Sequence, residues 1–337
     1  MGVSLRKIIG LAGLVTLLTF AGLNKSLAAG GEGESFSPGE MITHHITDDY
    51  VWHFFDGHYG TLYLPVILYT DNGVEVFSSS NFYNDDHEQV AYGNYEIDHG
   101  HIKTLDGTSV IDVSITKNVA SMFVSIILML LVFLSIAKSY KRNPGEAPRG
   151  LQSFFEPIIL FIKDEIAIPN IGEKKYKKFL PFLLTLFFFI WFNNLLGLMP
   201  GGANLTGNIS VTFVLAFIVL IITLASSGKA YWQHIFAMPG VPKPILLILI
   251  PIELIGILTK PFSLMVRLFA NITAGHIIIL SLLSLIFIFE SVWIAPASVA
   301  FSIFMNFLEL FVALLQAYIF TLLSAMYFGA AVEEAHH

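Results

Sequence analysis

A row of polar and ionisable side chains interrupts the two longest apolar runs of the chain, residues 244–289 and 292–328. They include Glu253, Arg267, Asn271 and His276 in the first run, and Asn306, Glu309 and Gln316 in the second. A guanidinium at bilayer depth costs about 2.5–3.5 kcal/mol on insertion scales, and arginine keeps its proton at every accessible pH. Arg267 therefore predicts that an acidic partner or an aqueous path compensates its charge.

The depths of these groups follow from helix geometry. If the two runs pack antiparallel with Arg267 level with Gln316, a rise of ~1.5 Å per residue puts His276 roughly 13 Å toward the turn between the runs. Glu309 then lies about 10 Å toward the same turn on the partner helix. A pair of His276 with Glu309 is therefore feasible near that end of the two helices.

Glu253 lies toward the opposite end of the first run. It is separated from Arg267 by about 21 Å of helix, along a path that Pro251 and Pro261 should bend. The pattern is a titratable pair on one side, a permanent cation at mid-depth and a carboxylate on the other side. Such an arrangement predicts a proton path that is interrupted by a charge barrier.

The helical period also separates the groups around the helix axis. Arg267 and Asn271 are four residues apart and share a face, as do Glu309 and Gln316, which are seven apart. His276 follows Arg267 by nine residues and points to the opposite side. We therefore expect His276 not to touch the group that Arg267 touches.

Structural roles remain open for several of these residues. Asn271, Asn306 and Gln316 could supply hydrogen bonds between helices. His276 could be structural. Arg267 could pair with a carboxylate of the same chain, although each of those carboxylates is two turns or more away in depth.

The composition indicates which elements hold these groups. The chain has 337 residues, is 55% hydrophobic, has a mean hydropathy of +0.71 and contains only 13% charged residues. This balance is typical of a polytopic membrane protein with a polar portion attached. The absence of cysteine from the sequence excludes disulfides, iron–sulfur clusters and thiol catalysis.

The predicted fold class is an all-α polytopic membrane protein with a small β-rich N-terminal exported domain. About five transmembrane helices are expected, at residues 119–137, 179–199, 209–225, 244–289 and 292–328. The last two exceed the ~20 residues needed to cross a bilayer, so they must tilt strongly or run partly along the membrane. Residues 151–168 mix apolar and charged side chains, which predicts an amphipathic helix at the interface.

Basic clusters predict the orientation in the membrane. Lys138, Lys141, Arg142 and Arg149 follow the first span, and a lysine cluster at 173–178 precedes the second. The positive-inside rule puts both clusters, and with them the C-terminus, in the cytoplasm. The N-terminal domain is then periplasmic.

The first 118 residues have a different character. Residues 1–29 carry the charged, apolar and small-residue regions of a secretory signal peptide, and an uncleaved membrane anchor is the alternative. Residues 30–118 contain fifteen Asp and Glu against two lysines. Two turn motifs, Asp71-Asn72-Gly73 and Asp106-Gly107, lie between β-rich runs and predict hairpins.

Seven histidines in the acidic segment could collect protons or bind zinc. They are His44, His45, His53, His58, His87, His99 and His101. Their spacing does not match a zinc ligand set, so solvated surface histidines are favoured and no metal is expected.

Two motifs near the end of the chain resemble a known family. The run from Lys260-Pro-Phe-Ser-Leu-Met-Val-Arg267 to Asn271 and His276, followed by Leu315-Gln-Ala-Tyr-Ile-Phe320, closely resembles subunit a of F-type ATP synthases. The segment from Asn208 to Thr212 and the Glu-Glu pair near the C-terminus are also similar. The resemblance covers residue 119 to the C-terminus, which sets residues 119–337 apart as the membrane domain.

The resemblance implies a proton-translocating stator subunit that packs against a ring of c subunits in the bacterial plasma membrane. Arg267 would face the ring carboxylate and block leak, with Asn271 and Gln316 near it. His276 and Glu309 would line the outer half-channel, and Glu253 would lie toward the inner one. Here the histidine precedes the acid, whereas some relatives have the reverse order.

The resemblance also implies partners and a class. The peripheral-stalk b subunits, the lipid bilayer and protons are the expected partners besides the c-ring, with no nucleic acid and no cofactor. The chain would be a non-catalytic subunit without an active site of its own. Whether H⁺ or Na⁺ is the coupling ion is left open, because the ring would build most of the ion site.

Two other classes are considered. A stand-alone channel or secondary transporter with a midplane charge is one alternative, although such folds usually contain internal repeats and the sequence shows none. A membrane enzyme is the other, and it lacks a nucleophile–base or metal motif here.

Overall fold

The computed structural model describes residues 39, 42–43, 47–53, 60–71, 73–84, 88–98, 100–142, 144–199, 201–238, 241–289 and 293–333. The predicted signal peptide and five of the seven N-terminal histidines lie outside the described residues. Contacts divide the chain into two units. The first unit takes the described residues within 1–124, 195–205 and 274–310, and the second takes those within 125–194, 206–273 and 311–337.

Among the described residues, seven short strands precede the helical part of the chain. They are β1 (Val51–His53), β2 (Thr61–Tyr63), β3 (Pro65–Thr70), β4 (Gly73–Ser78), β5 (Tyr95–Asp98), β6 (His101–Thr104) and β7 (Ile111–Asp112). The helices are α1 (Lys117–Arg142), α2 (Leu151–Phe161), α3 (Ile168–Ile171), α4 (Tyr176–Gly197), α5 (Ile209–Ser226), α6 (Lys229–Phe236), α7 (Lys243–Ile288) and α8 (Ala295–Val332).

Five helices of the described part, α1, α4, α5, α7 and α8, are long and apolar enough to cross a membrane. This confirms the predicted number of spans, and each span begins and ends within five residues of its predicted limits. Large apolar side chains on α1, such as Leu131 and Leu134, are 64% exposed, as expected for side chains that face lipid. The chain is therefore a polytopic membrane protein. Helix α7 continues through Pro251 and Pro261.

The strands of the first unit form three small antiparallel sheets, β1-β2, β4-β3-β7 and β5-β6. Strands β3 and β4 form a hairpin in which Thr70 pairs with Gly73, so the turn predicted from Asp71-Asn72-Gly73 is confirmed. Alternate side chains of β3, including Val66 and Leu68, point into a small core with Phe82 and are fully buried. The N-terminal part of the chain is therefore β-rich, as predicted.

The hairpin predicted at Asp106-Gly107 is wrong. The strands on either side belong to different sheets, because β6 pairs with β5 and β7 pairs with β3. Asp106 instead accepts hydrogen bonds from the Thr108 hydroxyl and backbone N–H, which hold the pKa of its carboxyl at about 2. This side-chain turn redirects the chain, with Gly107 at a positive φ of 76°.

The second unit has an aromatic-rich helical core. Phe133 of α1 contacts Phe188 of α4 with ring centroids 4.7 Å apart, and Phe179 stacks on Phe328 of α8 at 5.0 Å. The predicted amphipathic helix is present as α2, a wider π-helical turn at Ile162–Ala167, and α3. Most of its buried side chains lie three, four or seven residues apart, which is the pattern of a helix that buries one stripe.

The C-terminal end of α8 is held tightly in the second unit. A Cβ at Gly329 would overlap the backbone carbonyl of Asn170. Lys175 donates to the carbonyl of Val332 at 2.8 Å, and the Gly228 N–H donates to that of Ala331 at 2.9 Å. Free carbonyls at a helix end need such partners, so the end of α8 is fixed in place. The short helix α6 follows directly after Gly228 and was not predicted from the sequence.

Candidate functional site

Arg267 and Gln316 lie at the same level of the second unit. The side-chain amide of Gln316 donates to the backbone carbonyl of Arg267 at 2.7 Å, and Gln316 is buried. Ala313 and Ala317, on either side of it on α8, are fully buried. Small residues at a helix contact let the backbones approach closely, which explains how a side chain of this length reaches the partner backbone. Arg267 and Gln316 therefore lie level on the two helices, as assumed from the sequence. The contact between them uses the backbone of Arg267.

The guanidinium of Arg267 lies on an open face of α7. Leu264, Leu268 and Ile272 are spaced by four residues and are buried, whereas Arg267 and Asn271 are exposed. Within the described part of the chain, no carboxylate forms an ion pair with Arg267. One stripe of α7 is thus packed, and the charged side chain of Arg267 lies on a different, exposed stripe. The predicted shared face of Arg267 and Asn271 is observed.

Glu309 is buried in the first unit beside Gly275. The side chain of Glu309 is 5% exposed, and neither carboxylate oxygen has a hydrogen-bond partner among the described residues. A Cβ at Gly275 would overlap that carboxylate, so only glycine leaves room for it. His276, the next residue on α7, is half-buried. A carboxylate in such a place is costly unless it is protonated or reached by water.

This contact gives a direct test. Gly275→Ala should lower the stability of the protein by about 1–3 kcal/mol, because the added methyl group must displace the Glu309 side chain from a packed site. The matched control is Gly256→Ala on the same helix, where a Cβ would meet no atom within 4 Å. That substitution should raise stability by about 0.5–1 kcal/mol, since alanine is the better helix former. The midpoints of thermal unfolding of the purified protein in detergent measure both. Equal midpoints for the two variants would contradict the contact.

Glu253 lies near Tyr231 of α6 in the second unit. Burial raises the pKa of the Tyr231 hydroxyl, and the negative charge of Glu253 raises it further. Tyr231 also lines a cavity together with residues of α5, α7 and α8. The other lining residues are Val219, Leu220, Thr223, Ile257, Lys260, Pro261 and Tyr327. The cavity brings two tyrosines, a threonine and a lysine together among apolar side chains.

A second polar contact on α8 was missed in the sequence argument. Asn194, at the end of α4, donates to the backbone carbonyl of Ala313 at 3.2 Å and accepts from the Thr206 hydroxyl at 2.7 Å. All three residues are buried. The signal was present, since Asn193 and Asn194 are the polar residues near the end of an apolar run.

Asn306 behaves differently from the interhelical role considered for it. Its amide donates to the carbonyl of Ser302 on its own helix at 2.9 Å. Ser302 itself is buried, and its hydroxyl has no hydrogen-bond partner in the described part of the chain. Ser302 and Glu309 are seven residues apart on α8, so these two polar groups share one buried face.

No group of three or more His, Cys, Asp or Glu side chains that could hold a metal is found among the described residues. His53 and His101 are the described members of the N-terminal histidine set, and His53 Nδ1 lies 2.9 Å from the Thr61 hydroxyl.

These features define a class: a polytopic membrane protein whose two longest helices carry a fixed, accessible cation and a buried carboxylate. A family model described as "ATP synthase A chain" matches residues 119–329. The chain belongs to this family. A second model, described as a domain of unknown function, matches residues 41–121.

Curated relatives carry the same family name. A protein of Chloroherpeton thalassium named "ATP synthase subunit a" is 46% identical over 230 residues, which are 67% of this chain and 69% of the relative. A protein of Anaeromyxobacter sp. with the same name is 41% identical over 92% of this chain and 74% of its own length. One from Prosthecochloris aestuarii, named "ATP synthase subunit a 2", is 39% identical over 98% of this chain and 91% of its own.

Proposed function

We propose that the chain is the proton-translocating stator subunit of a rotary F-type ATP synthase, packed against a ring of c subunits. The observation that carries the proposal is the open guanidinium of Arg267. It lies on a membrane helix whose other stripe is packed, and no carboxylate of the described chain pairs with it. A charge in this place needs a partner, and a carboxylate that arrives on a neighbouring subunit supplies one.

In this mechanism a proton enters through His276 and Glu309, the outer half-channel, and neutralises a ring carboxylate. The neutral acid can turn through lipid at low cost, since the charge has been removed. After nearly a full turn it releases its proton toward Glu253, the inner half-channel. A membrane potential supplies about 2.3 kcal/mol per proton per 100 mV.

The role of Arg267 follows from its permanent charge. It attracts the ionised ring carboxylate once that group has lost its proton, and it disfavours passage of a proton straight between the half-channels. Lysine would serve less well, because burial can lower its pKa far enough to neutralise it. Asn271 lies on the same open face, and Gln316 holds the backbone of Arg267 in place.

The two carboxylates have environments that suit the two half-channels. Glu309 is buried, and its carboxylate oxygens have no hydrogen-bond partner among the described residues. This environment suits a group that exchanges a proton with water. Glu253 is half-buried near Tyr231 and the cavity that Tyr231 lines. Both features support separate routes to the ring carboxylate.

We further propose that residues 1–29 are a signal peptide, that residues 30–118 form a periplasmic domain, and that residues 119–337 form the membrane domain. The C-terminus is then cytoplasmic, and the peripheral-stalk b subunits are partners besides the c-ring. The basic residues after α1 and the lysine cluster before α4 support this orientation.

Purification of the tagged chain from native membranes tests the proposal. The c-ring should co-purify, and vesicles that contain both should conduct protons, whereas vesicles with this chain alone should not. Equal ion conductance by the chain alone would instead support a stand-alone channel and contradict the stator role.

A further inference from the structure

The N-terminal strands are joined to the first membrane helix without a flexible linker. We call residues 47–116 the strand region. The N–H groups of Val113 and Ile115 donate to the carbonyls of Ile67 and Pro65 at 2.9 and 3.1 Å, so pairing with β3 continues beyond β7. Helix α1 then begins at Lys117. The last paired residue and the first helical residue are therefore two positions apart.

The strand region also caps that helix. The carboxylate of Asp48 accepts from the backbone N–H of Asn118 at 3.1 Å, and the carbonyl of Asp49 accepts from that of Lys117 at 2.8 Å. The first N–H groups of a helix have no partner within it, and they carry its positive dipole end. Residues that precede β1 thus supply the cap, and the first turn of α1 is tied to the strand region.

A third contact reaches the loop between α4 and α5. The indole N–H of Trp52 donates to the backbone carbonyl of Gly201 at 2.6 Å, and Trp52 is only 9% exposed. Gly201 has a positive φ of 69° in a tight turn that is closed by a bond from the Gly202 N–H to the Met199 carbonyl at 2.8 Å. This left-handed residue turns its carbonyl toward Trp52.

The same loop is anchored at its base to α8. Asn194, near the end of α4, and Thr206, at the far end of the loop, bond to each other through their side chains, and Asn194 also bonds to the carbonyl of Ala313. Ala313 lies on α8 between Glu309 and Gln316. The loop therefore runs from the Trp52 contact to the backbone of the helix that carries the proposed proton path.

We infer that Trp52 is a positioning residue. Through Trp52 the strand region holds the loop at 199–205 in place, and the position of this loop affects the proposed proton path on α8. The segment at residues 41–121, which a model of a domain of unknown function matches, then serves to hold this loop of the stator. The expected effect of Trp52 on the proton path rests on the proposed function, whereas its expected effect on the loop does not.

The test compares Trp52→Phe with Trp293→Phe in the complete ATP synthase held in lipid nanodiscs. Both variants lose one indole N–H, but Trp293 is 93% exposed. Hydrogen exchange of peptides that cover residues 199–205 should become about 2- to 10-fold faster in Trp52→Phe, the range that one hydrogen bond accounts for. It should stay unchanged in Trp293→Phe. In liposomes, the dependence of ATP synthesis on outer pH should change for Trp52→Phe only.

Three results would overturn the inference. Unchanged exchange of the loop peptides in Trp52→Phe would show that Trp52 does not hold the loop in place. Faster exchange throughout β3 and β4 as well would mean that the substitution acts through the fold of the strand region. Faster exchange of the loop with an unchanged pH profile would break the link to the proton path. Failure of the proposed function is distinguishable, since it would abolish the Arg267 dependence of synthesis and leave the exchange result intact.

Discussion

Arg267→Ala is expected to lower proton-driven ATP synthesis by about 100-fold or more, the size of effect seen when one preorganised charge or dipole is removed from a reaction path. The substitution deletes the only group of the proposed path that keeps its charge at every accessible pH. Because the charge barrier is lost with it, passive proton leak through membranes stripped of the catalytic head should rise. Synthesis is measured in liposomes with an imposed proton gradient, and leak with a pH-sensitive dye.

The combination of lost synthesis and increased leak distinguishes this role from simple misfolding. Lys174→Ala is the matched control, since it also removes one cation but at an exposed position between α3 and α4. It should change neither quantity. Arg267→Lys should remain strongly impaired, because lysine can lose its proton in an apolar site. Normal synthesis by Arg267→Ala would overturn the proposed function.

Glu309→Gln is expected to lower proton-driven synthesis at least about 10-fold while the complex still assembles. Glutamine has nearly the shape of glutamate but cannot carry a proton through the path, and proton relay groups contribute about 10²- to 10⁴-fold. Stability should be kept, because the carboxylate oxygens make no hydrogen bond among the described residues that the change could break. Thermal unfolding of the purified complex and ATP synthesis in liposomes measure the two effects separately.

The control for this variant is Glu165→Gln, the same chemical change at an exposed position before α3. It should leave synthesis unchanged. Unaltered proton flux in Glu309→Gln would remove Glu309 from the outer half-channel without touching the role proposed for Arg267. Assembly lost together with flux would show that Glu309 is needed for structure.

The sequence was sufficient to predict most of the helical architecture. Apolar runs of spanning length are unambiguous, because backbone groups in lipid can be satisfied only within a helix or a closed barrel. The five spans therefore lie where the runs predicted them. The hairpin at Asp71-Asn72-Gly73 was predictable for a similar local reason, since that turn suits the twist of two paired strands.

Local signals failed where the partner was distant in sequence. Asp106-Gly107 has the residues of a hairpin turn, yet β7 pairs with β3, which lies about forty residues earlier. Helix α6 has only eight residues, so its pattern did not separate it from a loop. The amide of Asn306 found a carbonyl on its own helix, whereas that of Asn194 found one on α8.

By itself, the sequence determined that Arg267 is a membrane charge in need of a partner, and which residues stand above and below it along the helices. This follows from composition and from the fixed rise of a helix. Only the tertiary structure decided that the guanidinium lies on an open face, that Gln316 reaches the backbone of Arg267, and that Glu309 fills the space left by Gly275. Those facts depend on which stripe of each helix is packed. Packing is set by side chains that meet from distant parts of the chain, and helical spacing alone does not fix it.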